Sequence, residues 1–457
     1  MKTTKRGIII FAITWIVSVT VFSQTVVPGS SLAETATVYS RTGDAADTVR
    51  ALTLAEAVDL ALKQASNFRG AQVLERIAAE DVRQSKAAFY PRVDAKPNYI
   101  FTSPSLGSAR PRPPSYLGAN AINEIQGQVV ASGELDTSGK LNATLRRNRA
   151  LLVAAHVGTE IARRDLIQGV TDAYYSLALA TAKRRNAENN IAAAVEFENN
   201  TNLRLSAGEI APVDLVRARL QTAARRDELE QARAGEAVNA DGLRVLVGYS
   251  FTDAISAEDL LTGTPADNEI ERFAEAAIAT RPEFAQFAAE KQAAEADIRI
   301  ARADRRPQIT YSAGSGFITD SLAASRLRDR LGVQLNIGVT IPLFDRGAAR
   351  SRETQAKLRL QQTENARTIA ERQFAQSFFT ARTQAISART RIKQIAAAIT
   401  DAEANVTAST ARYRSGEASI IEVTDAQNTL ITQKAALYQA IYDYQTTRSR
   451  LMRSVGQ

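Results

Sequence analysis

The sequence predicts a mainly helical chain with a small membrane β component, built as a duplication of one subdomain. Three observations predict it. Ser206-Ala207-Gly208-Glu209 closes one long helical pattern, and Ser415-Gly416-Glu417 closes a second. Phe89-Tyr90-Pro91-Arg92-Val93 answers to Arg305-Arg306-Pro307-Gln308-Ile309, while Leu135 and Gly139 answer to Leu343 and Gly347. Each half reads helix, short β pair, very long helix, glycine turn, long helix. The period of about 210 residues is far beyond that of solenoid repeats, so a whole subdomain is repeated.

The bulk numbers agree with a narrow helical build. Of 457 residues, 45% are hydrophobic but only 6% aromatic, which favours close helix packing over a large aromatic core. There is no cysteine, which excludes a disulfide framework, a lipid anchor on an N-terminal cysteine, and thiolate chemistry. The formal net charge of +8 includes Lys2, Lys5 and Arg6. The arginine pairs farther along, such as Arg163-Arg164 and Arg225-Arg226, sit among Glu and Asp on helical patterns and read as solvated faces. No nucleic-acid partner is expected.

The elements follow in order. Residues 1–33 read as a signal peptide: a positive start, an apolar run from Ile8 to Phe22, and the cleavage site Ser31-Leu32-Ala33. The apolar run is short for a membrane helix, which needs about 20 residues. No later segment is apolar enough, so membrane contact would have to be made by strands. A first repeat is expected over 34–266 and a second over 267–457. Residues 34–50 are rich in Thr, Ala and Ser and read as flexible. Thr53 with Glu56 forms a capping-box signature for a helix that breaks near Ser66-Asn67 and ends before Pro91.

Alternation then takes over. Val93, Ala95, Pro97, Tyr99 and Phe101 form one stripe, and Ile125, Gly127 and Val129 a weaker one after a Pro-rich stretch. In the second half the stripes are Ile309, Tyr311, Ala313, Ser315 and Phe317, then Leu331, Val333, Leu335, Ile337, Val339 and Ile341. The last has aliphatics on one face and Gly332, Gln334, Asn336, Gly338 and Thr340 on the other. That suits a barrel strand between lipid and lumen; a sheet half-buried on a soluble core is the plainer alternative.

The long helices carry the strongest signal. Phe374, Phe378, Ala381, Ala385, Ala388, Ile392, Ile395, Ile399, Ala402 and Val406 alternate by four and three, a heptad seam. Leu166, Val170, Ala173, Leu177 and Ala180 keep the same register 208 residues earlier, and the seam resumes beyond Arg184 at Ala187, Ile191 and Ala194. From Gly347 to Tyr413 no proline or internal glycine intervenes, giving a rod on the order of 100 Å. Gly208 and Gly416 stand where left-handed caps belong. Returning helices follow, the later one with the stripe Val423, Ala426, Leu430, Leu437, Ala440 and Tyr444. Phe251 to Asn268 reads as the linker between halves.

Four strands cannot close a membrane barrel, whose minimum is about eight. Open edges are not tolerated in lipid. The chain must associate into a closed homo-oligomer.

Here the residues resemble the TolC-like outer membrane efflux proteins, the outer membrane factors of tripartite efflux and type I secretion systems. The carrying motifs are Leu52-Thr53-Leu54-Ala55-Glu56-Ala57, the glycine turns followed by Pro212-Val213-Asp214-Leu215 and by Ile420-Ile421-Glu422-Val423-Thr424-Asp425-Ala426, Ala173-Tyr174, and Ile341-Pro342-Leu343-Phe344-Asp345-Arg346-Gly347. The resemblance implies a homotrimer with a 12-stranded barrel in outer-membrane lipid, continued by a 12-helix α-barrel through the periplasm. It also implies a periplasmic adaptor and an inner-membrane pump or ABC exporter as partners.

The resemblance assigns roles near the tips. Glu422 and Asp425 share one helix face and match the acidic ring at the family's periplasmic entrance; like charges at a constriction attract cations, so these two are expected to make a cation-selective gate that divalent ions can block. Solvated carboxylates at a helix N-terminus are the plainer reading. Asp214 and Tyr413 match a closed-state latch. The family's usual basic partner falls at Ala418, which cannot form an ion pair, leaving Arg412 or Arg414 as substitutes. Gly208, Glu209, Gly416 and Glu417 are expected adaptor contacts, or simple capping turns. His156, the only histidine, reads as structural or exposed and not as catalytic. No catalytic, cofactor-binding or metal-ligating residue is expected, and no phosphate-binding glycine loop occurs.

The function this predicts is a passive exit duct for small molecules or drugs. A type I secretion duct for unfolded polypeptide keeps the fold and changes the cargo. A soluble periplasmic coiled-coil scaffold would explain the rods but not Leu331 to Ile341.

Overall fold

A computed structural model of the chain describes residues 50–108, 110, 115, 122–257, 265 and 268–456. The expected signal peptide and nearly all of the Thr- and Ala-rich segment lie outside the described residues.

Strand β1 (Arg50–Leu52) leads into α1 (Leu54–Lys63), which starts with the expected capping box: the Thr53 hydroxyl accepts from the Glu56 N–H, and the Glu56 carboxylate accepts from the Thr53 N–H. Ser66 caps α2 (Asn67–Ala87), so the helix breaks where the sequence places the break. Strands β2 (Arg92–Phe101) and β3 (Asn123–Leu135) follow, then α3 (Lys140–Ser206) and α4 (Pro212–Val247). The expected linker differs in part: it contains β4 (Ile255–Ala257), which pairs in parallel with β1 through Arg50–Ile255 and Leu52–Ala257. Three-residue strands carry no readable period, and burial of Leu52 and Ile255 in the core is what holds them.

The second half runs through α5 (Pro282–Ala303), β5 (Gln308–Thr319), the short α6 (Ala324–Asp329), β6 (Leu331–Thr340), α7 (Ala348–Arg414) and α8 (Ile420–Ser454). Helices α3 and α7 are each 67 residues long, about 100 Å at 1.5 Å per residue. Each starts after a left-handed glycine, Gly139 at φ 80° and Gly347 at φ 84°. Asp136 accepts from the N–H groups of Leu141 and Asn142, and Asp345 from those of Gly347 and Ala349, so a carboxylate closes each first turn.

The seam is where the heptads place it. Phe378, Ala381, Ala385, Ala388, Ile392 and Ala402 are buried on α7, as are Val170, Leu177, Ala180, Ala187 and Ala194 on α3. Arg184 is tolerated within its seam because Glu188 and Glu236 both pair with it. The main core is a collar near the middle of the rods. There Leu52, Leu177, Leu243, Ile270, Phe378, Tyr444 and Leu451 pack together, and the Tyr174 hydroxyl donates to the Leu52 carbonyl at 3.0 Å. Burial, with the hydrogen bond from its hydroxyl to the Glu269 carboxylate, pushes the Tyr444 pKa up to about 12.

Strands β2, β3, β5 and β6 form one antiparallel sheet in that order. Pro97 sits on the edge strand β2, where a missing N–H is tolerated. A Cβ on Gly316 would lie 2.0 Å from the Gly127 carbonyl oxygen. Gly316→Ala is therefore expected to push β3 and β5 apart, at a cost of about 1–3 kcal/mol. Loss of heat-modifiable gel migration from the membrane fraction measures it.

Candidate functional site

The pairing register puts every apolar stripe on the same face. Ala95 faces Val129, Val129 faces Ser315, and Ser315 faces Val333; one step along, Val93, Ala131, Ala313 and Leu335 line up. The opposite face carries Lys96, Gln128, Gly316 and Gly332 in one row, with Ser132, Ser312 and Asn336 in another. On β6, Val333 is 83% and Leu335 71% exposed, and the exposed Ile341, Leu343 and Phe344 extend the apolar surface to the helix junction. Phe317 lies over Gly127 and Tyr311 over Gly133, so aromatic rings cover the glycine notches of the neighbouring strand. A four-stranded sheet with one oily and one polar face, and two unpaired edges, is a wall segment. No helix among the described residues is long and apolar enough to cross a membrane.

The far ends of the rods form the second part of the site. Both turns are Schellman caps: Glu209 N–H donates to the Arg204 carbonyl at 3.0 Å and Glu417 N–H to the Arg412 carbonyl at 2.9 Å. Gly208 and Gly416 have φ of 74° and 80°, and a Cβ on either would meet open space. The left-handed backbone, not crowding, is what requires glycine there.

Beyond the caps, the two copies part. Arg204, in the last turn of α3, pairs with Glu209 at 3.0 Å and donates to the Tyr413 carbonyl at 2.9 Å, its guanidinium 4.8 Å from the Tyr413 ring centre. Tyr413 is only 8% exposed. Its ring packs with Phe197, Ile420, Val423 and Ala418 in a small apolar cluster. Its hydroxyl is buried and has no hydrogen-bond partner among the described residues. Asp214 pairs with Arg217 at 3.6 Å. No hydrogen bond joins Asp214 to Tyr413 within the chain's described residues. Ala418 thus serves as a packing residue, while Arg204 makes the cationic contact to Tyr413.

Glu422 accepts from Arg412 at 3.2 Å, and Arg412 also donates to the Glu417 carbonyl at 3.4 Å. Asp425 is exposed and has no ion pair among the described residues. Sequence reasoning named Arg412 only as a substitute latch and missed Arg204. The signal that finds Arg204 is its position 208 residues before Arg412, in the same turn of the duplicated rod. His156 lies exposed on α3 and pairs with Glu75 of α2 at 2.8 Å. Hydrogen bonds from His156 and Thr159 hold the Glu75 carboxyl below the usual carboxylate range. Among the described residues no group of three or more His, Cys, Asp or Glu side chains could hold a metal ion.

Comparison with known proteins is consistent across sequence and structure. A family profile described as outer membrane efflux protein matches residues 57–249 and 274–457. CyaE of Bordetella pertussis is 26% identical over 324 residues, covering 70% of this chain and 66% of that protein. The outer membrane protein TolC of Escherichia coli is 23% identical over 422 residues, covering 86% and 83%. The crystal structure of the outer membrane protein VceC of Vibrio cholerae superimposes with a TM-score of 0.76 at 19% identity, covering 88% of this chain and 96% of that one.

Proposed function

The chain belongs to the outer membrane efflux protein family, and from that premise we propose that three copies close into one duct for small molecules. It is an outer-membrane efflux channel with a periplasmic extension, and not an enzyme. In the proposed trimer each copy gives β2, β3, β5 and β6 to a twelve-stranded barrel, with β6 of one subunit beside β2 of the next. Helices α3, α4, α7 and α8 give the staves of the tunnel. A periplasmic adaptor docks on the tips at Gly208, Glu209, Gly416 and Glu417, and an inner-membrane pump or ABC exporter supplies the energy.

The observation that carries this reading is the two-faced sheet with open edges, joined directly to two rods of equal length. A soluble scaffold has no use for that exposed aliphatic face. At the tip, Glu422 and Asp425 are assigned to a cation-attracting constriction, and Asp214 with Tyr413 to its latch. The Tyr413 hydroxyl has no hydrogen-bond partner among the chain's described residues, so it remains available as the latch donor once the tips rearrange on closing. Asp214 of the partner subunit is the acceptor we assign to it.

Recording from purified protein in planar bilayers tests both parts. Wild-type protein is expected to insert in discrete conductance steps and to prefer cations. Glu422→Ala/Asp425→Ala is expected to lose that preference and the block by divalent ions. Unchanged selectivity and block would remove the gate assignment. Silence of both the wild type and the Tyr413→Phe/Asp214→Ala variant would remove the duct.

A further inference from the structure

We propose that Arg412 sets the selectivity of the periplasmic constriction by neutralising Glu422, so that Asp425 supplies the uncompensated charge. The inference rests on the assignment of Glu422 and Asp425 to that constriction. It comes from comparing the two tips position by position.

The glycine caps fix the register between them. Arg204 corresponds to Arg412, Asp214 to Glu422, and Arg217 to Asp425. In the first tip, Asp214 takes its cation from Arg217, one helical turn on. Arg204 is left to pair with Glu209 and to reach across to Tyr413. In the second tip an acid stands where Arg217 would be. Glu422 therefore has no cation on its own helix at that spacing, and Arg412 turns toward it from the end of α7. The Arg412 guanidinium is held on both sides, by the Glu422 carboxylate at 3.2 Å and the Glu417 carbonyl at 3.4 Å. It thus bridges the last turn of α7 to the first turn of α8, in direct contact with one of the two acids.

The electrical consequence follows from distance. An ion passing the tip at several ångströms meets the Arg412–Glu422 pair as a dipole, whose field falls off faster than that of a single charge. Asp425 has no such partner among the described residues, and its field reaches the ion undiminished except by solvent and salt. Both members of the pair are about half exposed, so the bridge adds little to folding stability. Its effect is on the charge that the permeating ion meets.

Reversal potentials in a potassium chloride gradient, with block by magnesium chloride, read this directly. Arg412→Gln is expected to shift the reversal potential further toward potassium and to lower the half-blocking magnesium concentration roughly three- to tenfold. Arg412→Lys keeps the charge and is expected to behave as wild type. Asp425→Asn is expected to weaken selectivity, and adding Arg412→Gln to it is expected to restore the wild-type reversal potential. If Asp425→Asn weakens selectivity while Arg412→Gln changes nothing, or changes only the resting conductance, this inference is overturned and the gate assignment stands. If neither variant alters selectivity, both are overturned.

Discussion

Leu335→Arg is expected to keep the protein from accumulating in the outer membrane. Leu335 is 71% exposed near the middle of β6, aligned with Ala313, Ala131 and Val93 across the sheet. If that face meets lipid, an arginine there costs about 2–4 kcal/mol at the bilayer midplane, and a symmetric trimer bears the cost in every subunit. The neighbouring residue gives the control. Gln334 points to the opposite face, so Gln334→Arg puts the same side chain into the polar lumen and is expected to insert normally. Outer-membrane fractionation with heat-modifiable gel migration separates the two variants. A Leu335→Arg protein that inserts as well as Gln334→Arg would mean that the aliphatic face is not the lipid face. The location of Gln334→Arg also separates a barrel wall from a sheet half-buried on a soluble core, because in the second case the folded variant would stay in the soluble fraction and never reach the outer membrane.

The contrast between adjacent β6 residues was legible in the sequence because strand periodicity is local. Side chains alternate by covalent geometry, and six aliphatics in alternation leave one register. The long helices were legible for a similar reason. Heptad spacing, the absence of proline and the glycine at each end are properties of neighbours in the chain, and the rods begin and end where those signals lie. Three things were not legible. The parallel pair β1 and β4 joins segments some 200 residues apart through three residues each, too few to show a period. The contact of Arg204 with Tyr413 depends on how one helical hairpin packs against the other, which no local pattern specifies. The pairing of Arg412 with Glu422 depends on the angle at which α8 leaves the turn. All three were decided by tertiary packing. The packing of Ala418 against Tyr413, Ile420 and Val423 is likewise a tertiary contact that no local pattern specifies.

Tyr413→Phe combined with Asp214→Ala is expected to raise the resting conductance of the purified channel. Within one chain the Tyr413 ring is already secured by stacking under Arg204 and packing on Phe197, and its carbonyl accepts from Arg204. Phenylalanine keeps these contacts and removes only the hydroxyl, which is buried and has no acceptor among the chain's described residues. The sign of the result is therefore informative. A hydroxyl without a partner in the assembled channel costs desolvation energy, so removing it would leave the closed state unchanged or more stable. A hydroxyl that donates to Asp214 of the partner subunit when the tips are closed contributes about 1–3 kcal/mol per contact, since one partner is ionised. Losing about 1.4 kcal/mol changes a two-state equilibrium tenfold, and a ring of equivalent contacts multiplies the effect. The expected reading is an open probability at least tenfold higher at rest, with selectivity unchanged because Glu422 and Asp425 are untouched. Asp214→Ala also frees Arg217 from its ion pair at 3.6 Å, so Asp214→Asn is the companion variant that keeps the side-chain shape. If the double variants conduct at rest as the wild type does, Tyr413 and Asp214 do not latch the tip. Arg204, which ties the two hairpins of each chain together, is then the contact left to test by Arg204→Gln.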